Sequence, residues 1–230
     1  MSAPQSPSST PAFLFDLDGT LVDSVYQHVL AWREALEKAG FPLAVWRIHR
    51  RIGMSGGLFV SALARETGRT LSRDEVKYVQ QLHADAFRHY SSQVRPLPGA
   101  RELMTYLSQA RVPFAIATSG YQESAAPALK ALGVESTVPV ITRDQVAHAK
   151  PDPDLFLAAA GSLGVSIEHA VVVGDSIWDL LAARRARALG VGLLSGGYGD
   201  DELQRAGAYR VYQDPADLQA HLDELGVRQQ

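Results

Sequence analysis

In "FLFDLDGTLVDS", Phe13 to Ser24, three apolar residues deliver the chain into Asp16, Asp18 and Asp23. Carboxylates this close repel, and the repulsion is relieved by a cation or by a proton on one of them. Taken alone, the D-x-D-G turn reads equally well as a solvated acidic loop. Three more groups follow later apolar runs. "VPFAIATSG" closes on Thr118, Ser119 and Gly120, "VPVITRD" leads to "HAKPDPD" with Lys150, and "AVVVGDSIWD" carries Gly174, Asp175 and Asp179. Each has a plain reading as a turn or a solvated charge. Four in this order, each at the end of an apolar run, point to one site.

Asp16, Asp18 and Asp175 offer hard oxygen ligands with no histidine cluster, which suits octahedral Mg²⁺. A calcium loop fits badly. Counted from Asp16, the positions where an EF-hand needs Gly and Glu hold Leu21 and Gln27, and a strand precedes them where a helix should. Thr118 and Ser119 supply hydroxyls, and the turn into the next helix presents backbone N–H groups, an anion site. Lys150 adds a point charge for phosphoryl oxygen. Neutralising charge and fixing in-line geometry are most of what phosphoryl transfer asks of a protein. A carboxylate nucleophile can split the reaction through an aspartyl-phosphate.

The apolar runs that hold these groups do not alternate, as strands buried on both faces of a parallel sheet would not. Between them lie helical patterns with glycine stops at Gly133, Gly164 and Gly190. Asp152 and Pro153 make an N-cap and first-turn pair for the middle helix. Strand and helix alternate from about residue 112 onward, which predicts a doubly wound, Rossmann-like α/β sheet. Ligands bind such sheets outside the carboxyl ends of the strands, where all four groups fall.

Residues 24 to 97 break that rhythm. Ser24-x-x-Gln27 and Ser72-x-x-Glu75 are capping-box signatures. The first precedes a helix with Val25, Val29, Trp32 and Leu36 on one face, the second a helix through Val79 to about Tyr90, and "GGLFVSALARETG" lies between. The expectation is a tail over 1–11, an α/β core over 12–22 and 98–230, and a helical insert over 23–97. The insert leaves from the lip of the acidic site, where a lid belongs. Asp23 is expected to anchor the loop into it.

The totals exclude several functions. At 230 residues the chain suits one domain with an insert. A formal net charge of -3, from 22 basic and 25 acidic residues, gives no electrostatic case for nucleic acid or an anionic membrane. Zero cysteines rule out disulfides and thiolate chemistry and fit a cytoplasmic location. The start, "MSAPQSPSSTPA", lacks the basic and apolar regions of a signal peptide, and no apolar run approaches the ~18 residues a membrane span needs.

"DLDGTLVDS", "ATSG", "AKPDPDLF" and "VVVGDSIWD" resemble, in order, the four motifs of the haloacid dehalogenase-like (HAD) phosphatase superfamily, over nearly everything after the tail. The resemblance implies that Asp16 is nucleophile and Mg²⁺ ligand. It makes Asp18 the general acid/base, lending its backbone carbonyl to the metal. Thr118, Ser119 and Lys150 would hold the phosphoryl group and Asp175 the metal. Asp179 and Gly174 would support the site. A proton on Asp18 would relieve part of the repulsion and serve the leaving group. The dehalogenases lack that second acid, so Asp18 favours phosphate ester chemistry.

The insert resembles the helical cap of the phosphoglycolate phosphatase and β-phosphoglucomutase branch. The expected function is hydrolysis of a small phosphorylated metabolite, of phosphoglycolate or sugar phosphate type, by a monomer or homodimer. "YQHVLAW", with His28, looks like the mutase pattern, and a histidine facing the site could hold Asp18 or touch a sugar. It reads equally as a part-buried helix residue. The mutases grip a second phosphate with an arginine after the Ser of "RIGMSGG", where this chain has Gly56; Arg50 or Arg51 would have to substitute. A mutase is therefore the alternative to a phosphatase. The rival outside catalysis is a regulatory or binding module, whose sign would be a missing nucleophile, second acid or lysine.

Overall fold

The computed structural model describes residues 10–227. Most of the expected tail, residues 1–9, lies outside the described residues. Strand β1 (Ala12–Phe15) is buried along its whole length. Phe13 and Phe15 enter one apolar cluster with Ile116 and Val173. Leu14 enters another with Ala115 and Val172. Side chains alternate across a strand, so both faces are covered, which is why the run is continuously apolar.

After the acidic turn, β2 (Val22–Asp23) pairs antiparallel with β3 (Arg95–Pro96), and this short ribbon brackets the insert. Asp23 stands exposed in it, opposite Arg95. Four helices lie between: α1 (Val25–Lys38), α2 (Val45–His49), α3 (Gly56–Glu66) and α4 (Arg73–Tyr90). Helix α1 buries Val25, Val29, Trp32 and Leu36, the predicted face, against Phe59, Leu63 and Val79. The Ser72–Glu75 capping box forms, with Ser72 N–H donating to Glu75 at 2.7 Å. The Ser24 box does not. Its hydroxyl donates to Asp18 Oδ1 at 2.6 Å instead. Helix α2 was not foreseen, being a five-residue turn of helix without a cap signature.

The chain returns through α5 (Ala100–Gln109), β4 (Phe114–Ala117), α6 (Gln122–Leu132), β5 (Val140–Ile141), α7 (Asp154–Ser162), β6 (Ala170–Gly174), α8 (Ile177–Ala186), β7 (Leu189–Leu193), α9 (Asp200–Ala206), β8 (Ala208–Tyr212) and α10 (Pro215–Ala220). The sheet order is β5-β4-β1-β6-β7-β8, every pair parallel. Two expected boundaries move. Helix α7 starts one residue late, with Pro153 at the cap position, and the Asp152 carboxylate pairs with Arg185 at 3.1 Å instead. Helix α8 stops at Arg187, whose φ is 65°, while Gly190 lies inside β7 opposite Val172. A Cβ there would come within 3.0 Å of Leu180; close packing, not a helix stop, uses this glycine. Among the described residues no helix is long and apolar enough to cross a membrane.

Candidate active site

Adjacent strands β1 and β6 end side by side, so Asp16 and Asp175 emerge next to each other. The Asp16 N–H continues the ladder onto Val173 O at 2.9 Å. Carboxylate oxygens of Asp16, Asp175 and Asp179 all lie within 4.8 Å of one another, and all three residues are buried. Lys150 enters from the loop after β5. It is 0% exposed, and its ammonium contacts Asp16 and, at 2.8 Å, Asp179. Asp179 also caps α8, accepting from Ser176 N–H at 3.1 Å. Thr20 donates to Asp175 Oδ1 at 2.9 Å. Lys150 and Thr20 thus each occupy one oxygen of Asp16 and Asp175, leaving each acid a second.

Three buried acids against one ammonium leave negative charge in excess, which raises the affinity of these carboxyls for protons. Burial pushes the Asp16 carboxyl up to about 7, the charges of Asp179 and Asp18 adding to the effect and Lys150 opposing it. Burial, then Asp179 and Asp16, likewise lift Asp175 well above the carboxylate range. Burial alone would lower the Lys150 ammonium, but Asp16 and Asp179 outweigh it and raise it. Hard oxygen donors in excess of the available cation are a donor set that fits a divalent ion.

Asp18 is placed differently. Besides Ser24, its Oδ1 lies 3.3 Å from His28 Nε2, and Thr118 reaches its Oδ2 at 3.5 Å. Burial works upward on this carboxyl too, but His28 and Ser24 prevail and hold it below its ordinary value. The expected proton on Asp18 is therefore not the resting state. Repulsion is relieved by turning Asp18 toward the insert and by raising Asp16 and Asp175. The cluster of side-chain oxygens takes in Asp179, and the Asp18 carboxylate lies outside it.

Thr118, 1% exposed, accepts from Gly120 N–H at 2.9 Å. The Ser119 hydroxyl donates to Gly53 O in the insert at 3.2 Å. Asp16, Asp18, Thr118 and Ser119 line a cavity of about 960 Å³ together with Trp32 and Phe59 of the insert. His28 lines it as well. Arg51 does not; its guanidinium pairs with Glu66 and lies 5.9 Å from the Trp178 ring. Arg50 is tied to Glu202 at 3.1 Å and lies over the Tyr198 ring at 4.3 Å. Gly174 ends β6 where a Cβ would run into Asp179.

Several contributors escaped the sequence reading. Gly19, at φ 85°, and Gly196 close over Asp175, and a Cβ on either would overlap its carboxylate. Gly196 sits in "LLSGG", itself the end of an apolar run, the one available signal. Gly196→Ala is expected to displace Asp175, lowering divalent-ion affinity at least about tenfold while the sheet stays intact. Isothermal titration with Mg²⁺ beside a thermal melt checks it. Unchanged affinity would show that the loop yields instead.

The six-stranded parallel sheet with flanking helices makes this a Rossmann-like α/β protein with acids gathered at its strand ends, and comparison with known proteins narrows this. The family model for haloacid dehalogenase-like hydrolases matches residues 10–187, and the chain belongs to that family. It is 30% identical over 194 residues to phosphoglycolate phosphatase of Agrobacterium fabrum, covering 81% of this chain and 82% of the relative. It is 32% identical over 176 residues to hexitol phosphatase A of Escherichia coli, covering 76% and 78%. The crystal structure of a hydrolase from Pseudomonas syringae superposes with a TM-score of 0.92 at 53% identity, covering 94% of this chain and 99% of that one.

Proposed function

We propose that the protein is a magnesium-dependent phosphatase that hydrolyses a small phosphorylated metabolite, of phosphoglycolate or sugar phosphate type, through an aspartyl-phosphate on Asp16. The observation that carries this is the buried set Asp16–Lys150–Asp179 beside Asp175, of which Asp16 lines the cavity. The names of the relatives support the substrate class. In this reading residues 12–22 and 98–230 are the catalytic core and 23–97 a cap that carries the substrate wall.

The Asp16 oxygen not held by Lys150 attacks phosphorus, and the bond to the leaving oxygen breaks. Lys150 and the Thr118 hydroxyl receive the phosphoryl oxygens. Asp18, a carboxylate at rest, takes up a proton from solvent as substrate binds and gives it to the leaving oxygen; it then takes one from the water that attacks the acyl phosphate, which releases phosphate and restores Asp16. Asp16, Asp175 and the Asp18 carbonyl would hold a divalent cation, which would supply positive charge against the phosphoryl oxygens. Hydrolysis is preferred to mutase chemistry because Arg50 and Arg51 are both engaged by glutamates, and neither is placed to grip a second phosphate. The test is p-nitrophenyl phosphate with and without Mg²⁺. Turnover is expected with the metal, lost in EDTA and regained with excess Mg²⁺. Inert protein in the presence of Mg²⁺ would overturn the proposal.

A further inference from the structure

Helix α4 runs along one side of the cavity, and its side chains there differ in what already holds them. Phe87 stacks on His28 with ring centroids 3.9 Å apart, and His28 in turn reaches Asp18 at 3.3 Å, so this turn of the helix faces the acidic end. His83 meets His28 at 3.2 Å. Gln81 donates to Asp85 at 2.9 Å, and the Arg88 guanidinium is held by the same carboxylate. No described residue hydrogen-bonds to the carboxamide of Gln80 or the ammonium of Lys77, and both residues line the cavity. Lys77 is exposed, whereas Gln80 is half-buried.

Gln80 stands two turns of helix from Phe87, ~10 Å along the axis. Opposite it lies the start of α3. A Cβ on Gly56 would come within 3.0 Å of Gln80 Nε2 and 3.5 Å of Trp32. The bare glycine gives the carboxamide the room it occupies, and a side chain there would push it aside. A carboxamide donates and accepts at once, which matches a hydroxyl. An ionised carboxylate or phosphate only accepts, and is better served by a cation. In a pocket walled mainly by apolar side chains, a free polar group of this kind fixes the orientation of the ligand. A two-carbon acid ester with its phosphoryl group at Asp16 ends well short of Gln80. A five- or six-carbon sugar or polyol reaches it.

We propose that Gln80 is a specificity-determining residue that hydrogen-bonds a hydroxyl at the far end of the substrate, so that the substrate is a polyhydroxylated monophosphate ester, of sugar or polyol type, and not phosphoglycolate. The phosphoryl end of that substrate rests on the phosphatase reading; the far end rests on the cavity. Gly56 acts through Gln80, by leaving the space it fills.

The test compares kcat/KM for glucitol 6-phosphate, its 1,6-bisphosphate, hexyl phosphate and phosphoglycolate, with p-nitrophenyl phosphate as the measure of the chemistry itself. Wild type is expected to favour glucitol 6-phosphate at least about tenfold over phosphoglycolate, and as much over hexyl phosphate, which has the length without the hydroxyls. Gln80→Leu, close in volume, should lower the ratio of glucitol 6-phosphate to hexyl phosphate about tenfold. Gly56→Ala, which crowds the carboxamide, should lower the same ratio by less. Preference for phosphoglycolate overturns the proposal. Preference for the bisphosphate does so too, and gives the far end to Lys77. An unchanged ratio in Gln80→Leu is equally fatal. Protein inert toward every ester, p-nitrophenyl phosphate included, would sink the phosphatase reading. Calorimetric titration with glucitol 6-phosphate then decides the role of Gln80 alone: binding about tenfold weaker in Gln80→Leu supports it, and equal or absent binding overturns it.

Discussion

Asp16→Asn is expected to abolish hydrolysis of p-nitrophenyl phosphate while leaving the protein at least as stable as before. The substitution is isosteric, so packing where β1 meets β6 is kept. A carboxamide does not attack phosphorus, so kcat should fall on the order of 10⁴-fold or more. Stability runs the other way. Asp16 is one of three buried acids facing a single ammonium, and Lys150 retains Asp179 at 2.8 Å without it. Its folded value of about 7 lies above the ordinary 3.8. The stability contributed by the protonated carboxyl is present below the ordinary value and lost as pH rises through the folded one. In EDTA the variant should therefore melt progressively higher than the wild type as pH climbs through that window. Retained turnover would remove Asp16 from the chemistry, and a lower melting temperature at alkaline pH would refute the charge argument.

Lys150→Met should be the most damaging single change to the fold. Methionine is unbranched like lysine, one atom shorter, and suits the neighbouring Phe156 ring, which lies 5.1 Å from the ammonium. What it removes is the only buried cation in contact with Asp16 and Asp179 among the described residues. Breaking a buried ion pair on one side costs about 3–5 kcal/mol, a large share of the 5–15 kcal/mol that a typical domain has to lose. Without the ammonium, Asp16 and Asp175 are driven further upward, so their protonated forms are the ones the fold accommodates. The loss should be greatest at neutral to alkaline pH in EDTA and should shrink on acidification or on adding Mg²⁺. Activity should drop at least about 100-fold, because the phosphoryl oxygens lose a fixed positive charge. Urea melts at two pH values, with and without Mg²⁺, check this. An unchanged midpoint in EDTA would mean that the acids are already neutral and that Lys150 compensates nothing.

Strands β1, β4 and β6 were legible because strands covered on both faces must be apolar throughout, and the polar residues that end them mark the functional edge. Helices α1, α3 and α4 were legible from their 3.6-residue spacing. Strand β8 was not, since it lies at the sheet edge with Tyr209 and Arg210 exposed, and a half-covered strand carries no continuous apolar run. Local signals failed where a distant partner competed for the same atom. Ser24 donates to Asp18 in place of capping α1, and Asp152 pairs with Arg185 in place of capping α7. The site divided along the same line. Asp16, Asp18, Thr118, Lys150 and Asp175 could be named from the chain. The contact of Lys150 with Asp179, the Thr20 bond to Asp175 and the meeting of His83 with His28 depend on how elements pack, which no spacing encodes.

Segment 49–55 of the insert is moored to the core at four points. His49 meets Gly196 O at 2.9 Å, Arg50 meets Glu202 at 3.1 Å, Gly53 O receives the Ser119 hydroxyl at 3.2 Å, and Ser55 N–H reaches Lys150 O at 3.2 Å. At the far edge, where α4 faces the start of α6, Arg88 near Glu123 at 3.9 Å is the only ion pair joining the two among the described residues. An asymmetric attachment of this kind gives the molecule a back and a front. On the proposed phosphatase reading, metabolite and phosphate are expected to pass on the α4–α6 side, while the loop over Asp175 is expected to keep its contacts with the insert.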